Sequence, residues 1–136
     1  MKEMITYLNF DGNAREAMQF YARCLGAELT LMPFPDAKAG FPPAAQDRTI
    51  HAKLAKGSCV LMASDAVPGI PFQRGNNFHI CLNCESLAET ERLFSSLGEN
   101  GKVTMPLQDT FWGARFGMVL DQFGVSWMLN FEEPKL

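Results

Sequence analysis

The sequence has little of what several functional classes require. Of its 136 residues only two are histidine and four are cysteine, and 15 acidic against 12 basic residues leave a net charge of −3. No Lys/Arg run stands out, which argues against the basic footprint of a nucleic-acid-binding surface. No apolar run approaches the roughly 18 residues of a membrane-spanning helix. Met1-Lys-Glu-Met-Ile5 leads straight into a strand-like pattern, with no charged-then-apolar leader. A soluble cytoplasmic protein is therefore expected, with neither nucleic acid nor membrane as partner. Without a secretory leader, Cys24, Cys59, Cys81 and Cys84 are not expected to form a disulfide framework.

Cys81-Leu-Asn-Cys84 spells C-x-x-C, but its surroundings argue against redox and zinc roles. Residues 78–84 read as a strand, where side chains three apart point to opposite faces. No second C-x-x-C or histidine pair completes a zinc set. These cysteines are expected to be small buried residues.

The chain does have one pattern written twice. Thr6–Phe10 reads as a strand, Asn13 and Glu16 as a capping box, and Ala14, Ala17, Met18, Tyr21 and Leu25 as the buried stripe of a helix. Gly26 closes that helix and Ala27–Met32 follows as a strand. In the second copy the strand runs over residues 78–84, Ser86 and Glu89 form the box, and Leu87, Thr90, Leu93, Phe94 and Leu97 line the helix. Gly98 and the strand Lys102–Leu107 follow. The offset is 73 at the start (79 − 6) and 72 at the closing glycine (98 − 26). Each copy ends in a hairpin: 49–55 with 58–64 around Gly57, and 114–120 with 125–131 around Asp121–Gly124. The expected fold is α+β: one domain over 1–136, with repeats at about 4–65 and 76–131 and a linker at about 67–76. Each repeat is a β-α-β-β-β module, and together they form a curved eight-stranded sheet with helices outside. The proline-rich segment 33–48 is long for a plain connection, which points to function or disorder.

Tyr7-Leu-Asn-Phe-Asp-Gly-Asn13, Phe20-Tyr-Ala-Arg-Cys-Leu-Gly-Ala-Glu28, Met62-Ala-Ser-Asp-Ala66 and Thr110-Phe-Trp-Gly-Ala-Arg-Phe-Gly117 with Asp121-Gln-Phe-Gly-Val-Ser-Trp127 carry a resemblance over nearly the whole chain. It resembles the vicinal oxygen chelate superfamily of glyoxalases, extradiol dioxygenases and bleomycin-resistance proteins, and within it the PhnB-like subgroup. Some relatives bear the label 3-demethylubiquinone 3-methyltransferase. No glycine-rich strand-to-helix turn supports that chemistry here.

The resemblance implies a homodimer and a cavity framed by one position on the first strand and one on the last strand of each copy. Matched residue by residue, those positions are Thr6, His79, Leu61 (or, one further on, Met62) and Met128. One imidazole, one hydroxyl, an aliphatic group and a soft thioether do not make a divalent-metal set. No cofactor is expected. His79 is then the candidate acid/base, set against a core histidine satisfied by a neighbour such as Thr6. The ligand-pocket candidates are Thr6, His51, Met62, Trp112, Arg115 and Met128. Trp127 reads as core, and Asp109 and Asp121 as turn and strand-end residues. A metal-free protein binding a small organic ligand between the modules is the first reading. A lyase or isomerase using His79 on a small oxygenated substrate is the second. A metal enzyme drawing on His51, His79 and Asp36 or Asp47 is the third.

Overall fold

The computed structural model describes residues 1–36 and 39–134; of the segment 33–48, residues 37 and 38 lie outside them. The chain divides into two compact modules, Met1–Gln73 and Arg74–Leu136.

In the first module the order is β1 (Thr6–Phe10), α1 (Ala14–Leu25), β2 (Glu28–Pro33), a short 3-10 helix (Pro43–Asp47), β3 (Thr49–Lys56) and β4 (Cys59–Asp65). The second repeats it with β5 (Ile80–Asn83), α2 (Leu87–Leu97), β6 (Lys102–Asp109), β7 (Ala114–Leu120) and β8 (Ser126–Glu132). The eight strands divide by hydrogen bonding into two four-stranded sheets, β1-β4-β3-β2 and β5-β8-β7-β6. In each, the first strand runs parallel to the last, and the remaining pairs are antiparallel.

Alternation decides what each sheet buries. Leu8 and Phe10 on β1, Ala52 and Leu54 on β3, and Leu61 and Ala63 on β4 are buried. Helix α1 packs against β2, β3 and β4. It buries Ala14, Ala17, Met18, Phe20, Tyr21 and Cys24. That stripe is wider than expected, with Cys24 turned fully inward and Leu25 only half-buried. In the second module Trp127, Leu129, Val119 and Leu97 form the core and α2 packs on β7 and β8. Leu87, expected on the buried stripe of α2, is 41% exposed.

The two helices begin by different means. Ser86 Oγ accepts from the Glu89 amide (3.0 Å) and Glu89 Oε1 accepts from the Glu85 amide (3.0 Å), a variant of the capping box in which the returning bond goes to the residue before the cap. Asn13 makes no side-chain cap hydrogen bond. The amides of Gly12 and Ala14 instead donate to Asp65 Oδ1 (2.8 and 2.9 Å), while Asp65 Oδ2 accepts from the Thr49 amide (2.9 Å). Asp65 is 4% exposed and ties the start of α1 to the start of β3. Asp121, the buried carboxylate of the second module, works locally instead: in the β7–β8 turn it accepts from the Phe123 and Val125 amides and from Trp127 Nε1 (2.8 Å).

Segment 33–48 is anchored at both ends. Phe34 is buried and meets Phe41 edge-on at 5.1 Å, Ala45 is fully buried, and the Phe34 amide donates to Arg48 O. Arg48 in turn donates to Asp11 (2.9 Å) and to Ala66 O (2.8 Å).

Candidate functional site: the sheet faces without a helix

Each sheet has one face against its helix and one without, and strand register assigns every candidate to a face. In the first module, Tyr7 lies opposite Met62, Met62 opposite Lys53, and Lys53 opposite Thr30. These residues alternate with the buried ones, so they share the helix-free face. His51 sits two residues from Lys53 on that face, opposite Met32. The Tyr7 hydroxyl and His51 Nδ1 are 3.0 Å apart, and their rings stack at 5.8 Å and 25°. The pair spans β4 from either side. Donation by Tyr7 to Nδ1 leaves Nε2–H free to donate; the other tautomer reverses the roles within the pair.

Thr6 falls on the opposite parity, with Leu8 and Phe10, at the exposed start of β1. Leu61 likewise belongs to the buried face, and Met62 occupies the helix-free position.

The pairing corrects the expected frame. Thr6 lies opposite Leu61 and Ile80 opposite Trp127. Leu61 and Trp127 are both buried and lie opposite the buried Leu54 and Val119. Thr6 therefore corresponds to Ile80, an offset of 74 (80 − 6), and Tyr7 to Cys81. The expected offset of 73 slipped by one residue, and a one-residue slip exchanges the two faces of a strand. His79 lies just before β5, is exposed, and has no hydrogen bond among the described residues. The ring has neither the core environment nor the partner expected of it.

On the helix-free face of the second module, Cys81 lies opposite Met128, Met128 opposite Met118, and Met118 opposite Met105. Asn83 and Asn130 continue that face, with Asn130 Nδ2 donating to Asn83 Oδ1 at 3.1 Å. Cys81 is exposed and Cys84 half-buried, so neither is the fully buried residue expected; Cys24 alone among the four is. Desolvation raises the pKa of the Cys81 thiol. It also raises that of Cys84, helped by the Glu89 and Cys81 charges and opposed by hydrogen bonds involving Thr90 and Asn130.

Trp112 and Arg115 stand apart from these rows. Trp112 is 57% exposed beside a fully exposed Phe111. With Gly113, Glu132, Glu133 and Pro134 it lines an open depression of about 420 Å³. The turn carrying it is closed by the Thr110 amide on Ala114 O and by Gly113 at φ +87. Arg115 shares the parity of the buried Gly117 and Val119, pairs with Asp109 at 3.3 Å, and leaves its buried Nε without a partner.

Among the described residues, no group of three or more His, Cys, Asp or Glu side chains is placed to hold a metal ion. No described helix is long and apolar enough to cross a membrane.

Tyr7, on the helix-free face, and Asp65, which organises the first module, do not stand out in the sequence. The alternation Tyr7–Leu8–Asn9–Phe10 contains the signal for Tyr7. Nothing local marks Asp65, whose partners are distant in sequence.

The family described as 3-demethylubiquinone-9 3-methyltransferase matches residues 2–130. Protein PA1353 from Pseudomonas aeruginosa is 45% identical, with a TM-score of 0.89 over 98% of this chain and 100% of that one. A structure from Bacillus cereus described as a putative 3-demethylubiquinone-9 3-methyltransferase, PhnB protein, is 26% identical, with a TM-score of 0.79 over 96% and 99%. A glyoxalase family protein from Bacillus cereus shares the fold at 12% identity, with a TM-score of 0.69 over 98% and 96%.

A methyltransferase of that description would use a nucleotide-like methyl donor, which would need free amides at a strand-to-helix turn. At the β1–α1 turn the Gly12 and Ala14 amides are already committed to Asp65. β1 is also the edge strand of a mixed sheet rather than a switch point of a parallel one. These residues do not fit that group.

Proposed function

The chain belongs to the family described as 3-demethylubiquinone-9 3-methyltransferase, the PhnB-like branch of the glyoxalase/bleomycin-resistance/dioxygenase superfamily, and from that premise we propose that it binds a small organic ligand on the helix-free face of the first module's sheet. The observation that carries this is the Tyr7–His51 hydrogen bond on a face otherwise lined by Met62 and Met32. A phenol and an imidazole offer both a donor and an acceptor at one point, and the flexible thioethers adapt around an apolar body. That combination suits a ring or short chain with an oxygen substituent at one end of an apolar body; the oxygen-bearing ring of a demethylubiquinone, named in the family's description, is one example.

The second reading, a lyase or isomerase on a small oxygenated substrate, is favoured by the same pair. An imidazole held by a hydroxyl is a better-placed acid/base than the unpartnered His79. A two-fold homodimer belongs to the same proposal.

An NMR titration with a soluble methoxyphenol tests it. Saturable shifts are expected at Tyr7, His51 and the Met62 methyl, with weaker binding in Tyr7→Phe and none of note lost in His79→Asn. Shifts confined to other residues, or no saturation, would count against the proposal. Binding retained but turnover lost in His51→Asn would favour the enzyme.

A further inference from the structure

The second module's helix-free face carries a row of sulfur that the first module lacks. Cys81, Met128, Met118 and Met105 are successive register partners across all four strands of one sheet. The corresponding row in the first module is Tyr7, Met62, Lys53 and Thr30, with a single sulfur. The repeat thus serves as an internal control. A sheet position in this fold does not by itself call for sulfur, yet here one thiol and three thioethers fill one row. A face that merely needed apolar cover would more simply use Val, Ile or Leu, which bring better-defined rotamers and higher strand preference.

We propose that this row is a binding site for a monovalent soft metal ion, Cu(I), with Cys81 as the thiolate ligand and Met128 and Met118 as thioether ligands. Neighbouring strands stand about 4.8 Å apart, and unbranched Met side chains are long enough to bring sulfurs on adjacent strands toward one ion. Soft thiolate and thioether donors select Cu(I), whereas Zn(II), Mg(II) and Ca(II) require nitrogen, oxygen or further thiolates. Met105 completes the row at its far end, three strands away from Cys81. None of the four is fully buried, so the ion has access. Binding is a substitution without redox change: the S–H bond of Cys81 breaks, its proton passes to water, and a copper–sulfur bond forms. Because the thiol must lose its proton to bind, affinity should increase with pH. This site is independent of the ligand proposed for the first module, since the two share no residue.

The test is an anaerobic titration of the full chain with Cu(I) in competition with a chromophoric Cu(I) chelator. One equivalent should be withdrawn from the chelator, with Ag(I) competing and Zn(II) not. Outer-shell partners alone are worth about 10- to 100-fold in metal affinity, so Cys81→Ser and Met128→Leu should each weaken binding by at least about tenfold. Met62→Leu in the first module and Cys59→Ser at another exposed thiol should leave it unchanged. Urea midpoints of all four variants identify any that simply fail to fold; Met→Leu conserves volume and is expected to fold. The inference is overturned if the wild-type chain withdraws no copper, if folded Cys81→Ser and Met128→Leu bind as the wild type does, or if Cys59→Ser abolishes binding.

Discussion

Replacing Asp65 by Asn should cost far more stability than one neutralised carboxylate on a surface. Three amides converge on this side chain, two on Oδ1 and one on Oδ2, at 2.8 to 2.9 Å. The amide of Asn is nearly the same shape. Its single oxygen can keep Gly12 and Ala14, but its NH2 then faces the Thr49 N–H, donor against donor. Hydrogen bonds to a charged group are worth roughly 1.5–3 kcal/mol each, and a buried donor left unpaired costs about 1–3 kcal/mol. The loss of charge on two bonds and the orphaned Thr49 amide together predict a loss of about 2–4 kcal/mol. Total stabilities run to only about 5–15 kcal/mol. With a urea slope of about 1–3 kcal/mol per molar, the unfolding midpoint should fall by about 0.7–4 M. Asp11→Asn is the control: it removes an exposed carboxylate paired with Arg48 at 2.9 Å, and such surface pairs are worth about 0–1 kcal/mol. If Asp65→Asn lowers stability by no more than Asp11→Asn, the reasoning about converging amides is refuted.

Two further predictions follow from how the helices begin and where the thiols sit. Ser86→Ala should cost about 1 kcal/mol by removing the acceptor for the Glu89 amide, whereas Asn13→Ala should cost about half that or less, because Asn13 makes no cap bond; paired urea melts would show equal losses if this is mistaken. Alkylation followed by peptide mapping should find Cys59 reacting well before Cys81 and Cys84, whose raised pKa values hold back the thiolate. By linkage, unfolded thiols ionise first as pH climbs through the ordinary thiol range, so these two groups favour unfolding as pH rises there; a melting midpoint that increased over that range would contradict the sign.

The architecture was readable because its signals are local and periodic. Each helix stripe, closing glycine and hairpin turn lies within a dozen residues of its partners, and all recurred in the second copy. The helix-free faces were harder to read. Deciding between Thr6 and Tyr7, or between Leu61 and Met62, requires the strand register to within one residue. The polar residues Thr6 and His79 drew the alignment of the copies one residue away from the pairing that buries Leu61 and Trp127 together. Tyr7 and His51 meet only because β4 lies between their strands, and that strand order is not visible along the chain. Asp65 escaped for the same reason, with its amide partners 16 to 53 residues away.

The contrast between the two helix starts also bears on the order of folding. The box at Ser86 and Glu89 closes over three residues, so α2 can nucleate as soon as its own segment is free. The Ala14 amide waits for a carboxylate 51 residues further along the chain. Helix α1 gains its N-terminal partner only after the β3–β4 hairpin has formed and docked, a closure that carries the entropy of a long loop. The second module's helix thus has its N-terminal partner within its own segment, and the first module's helix has its own only with the last strand in place.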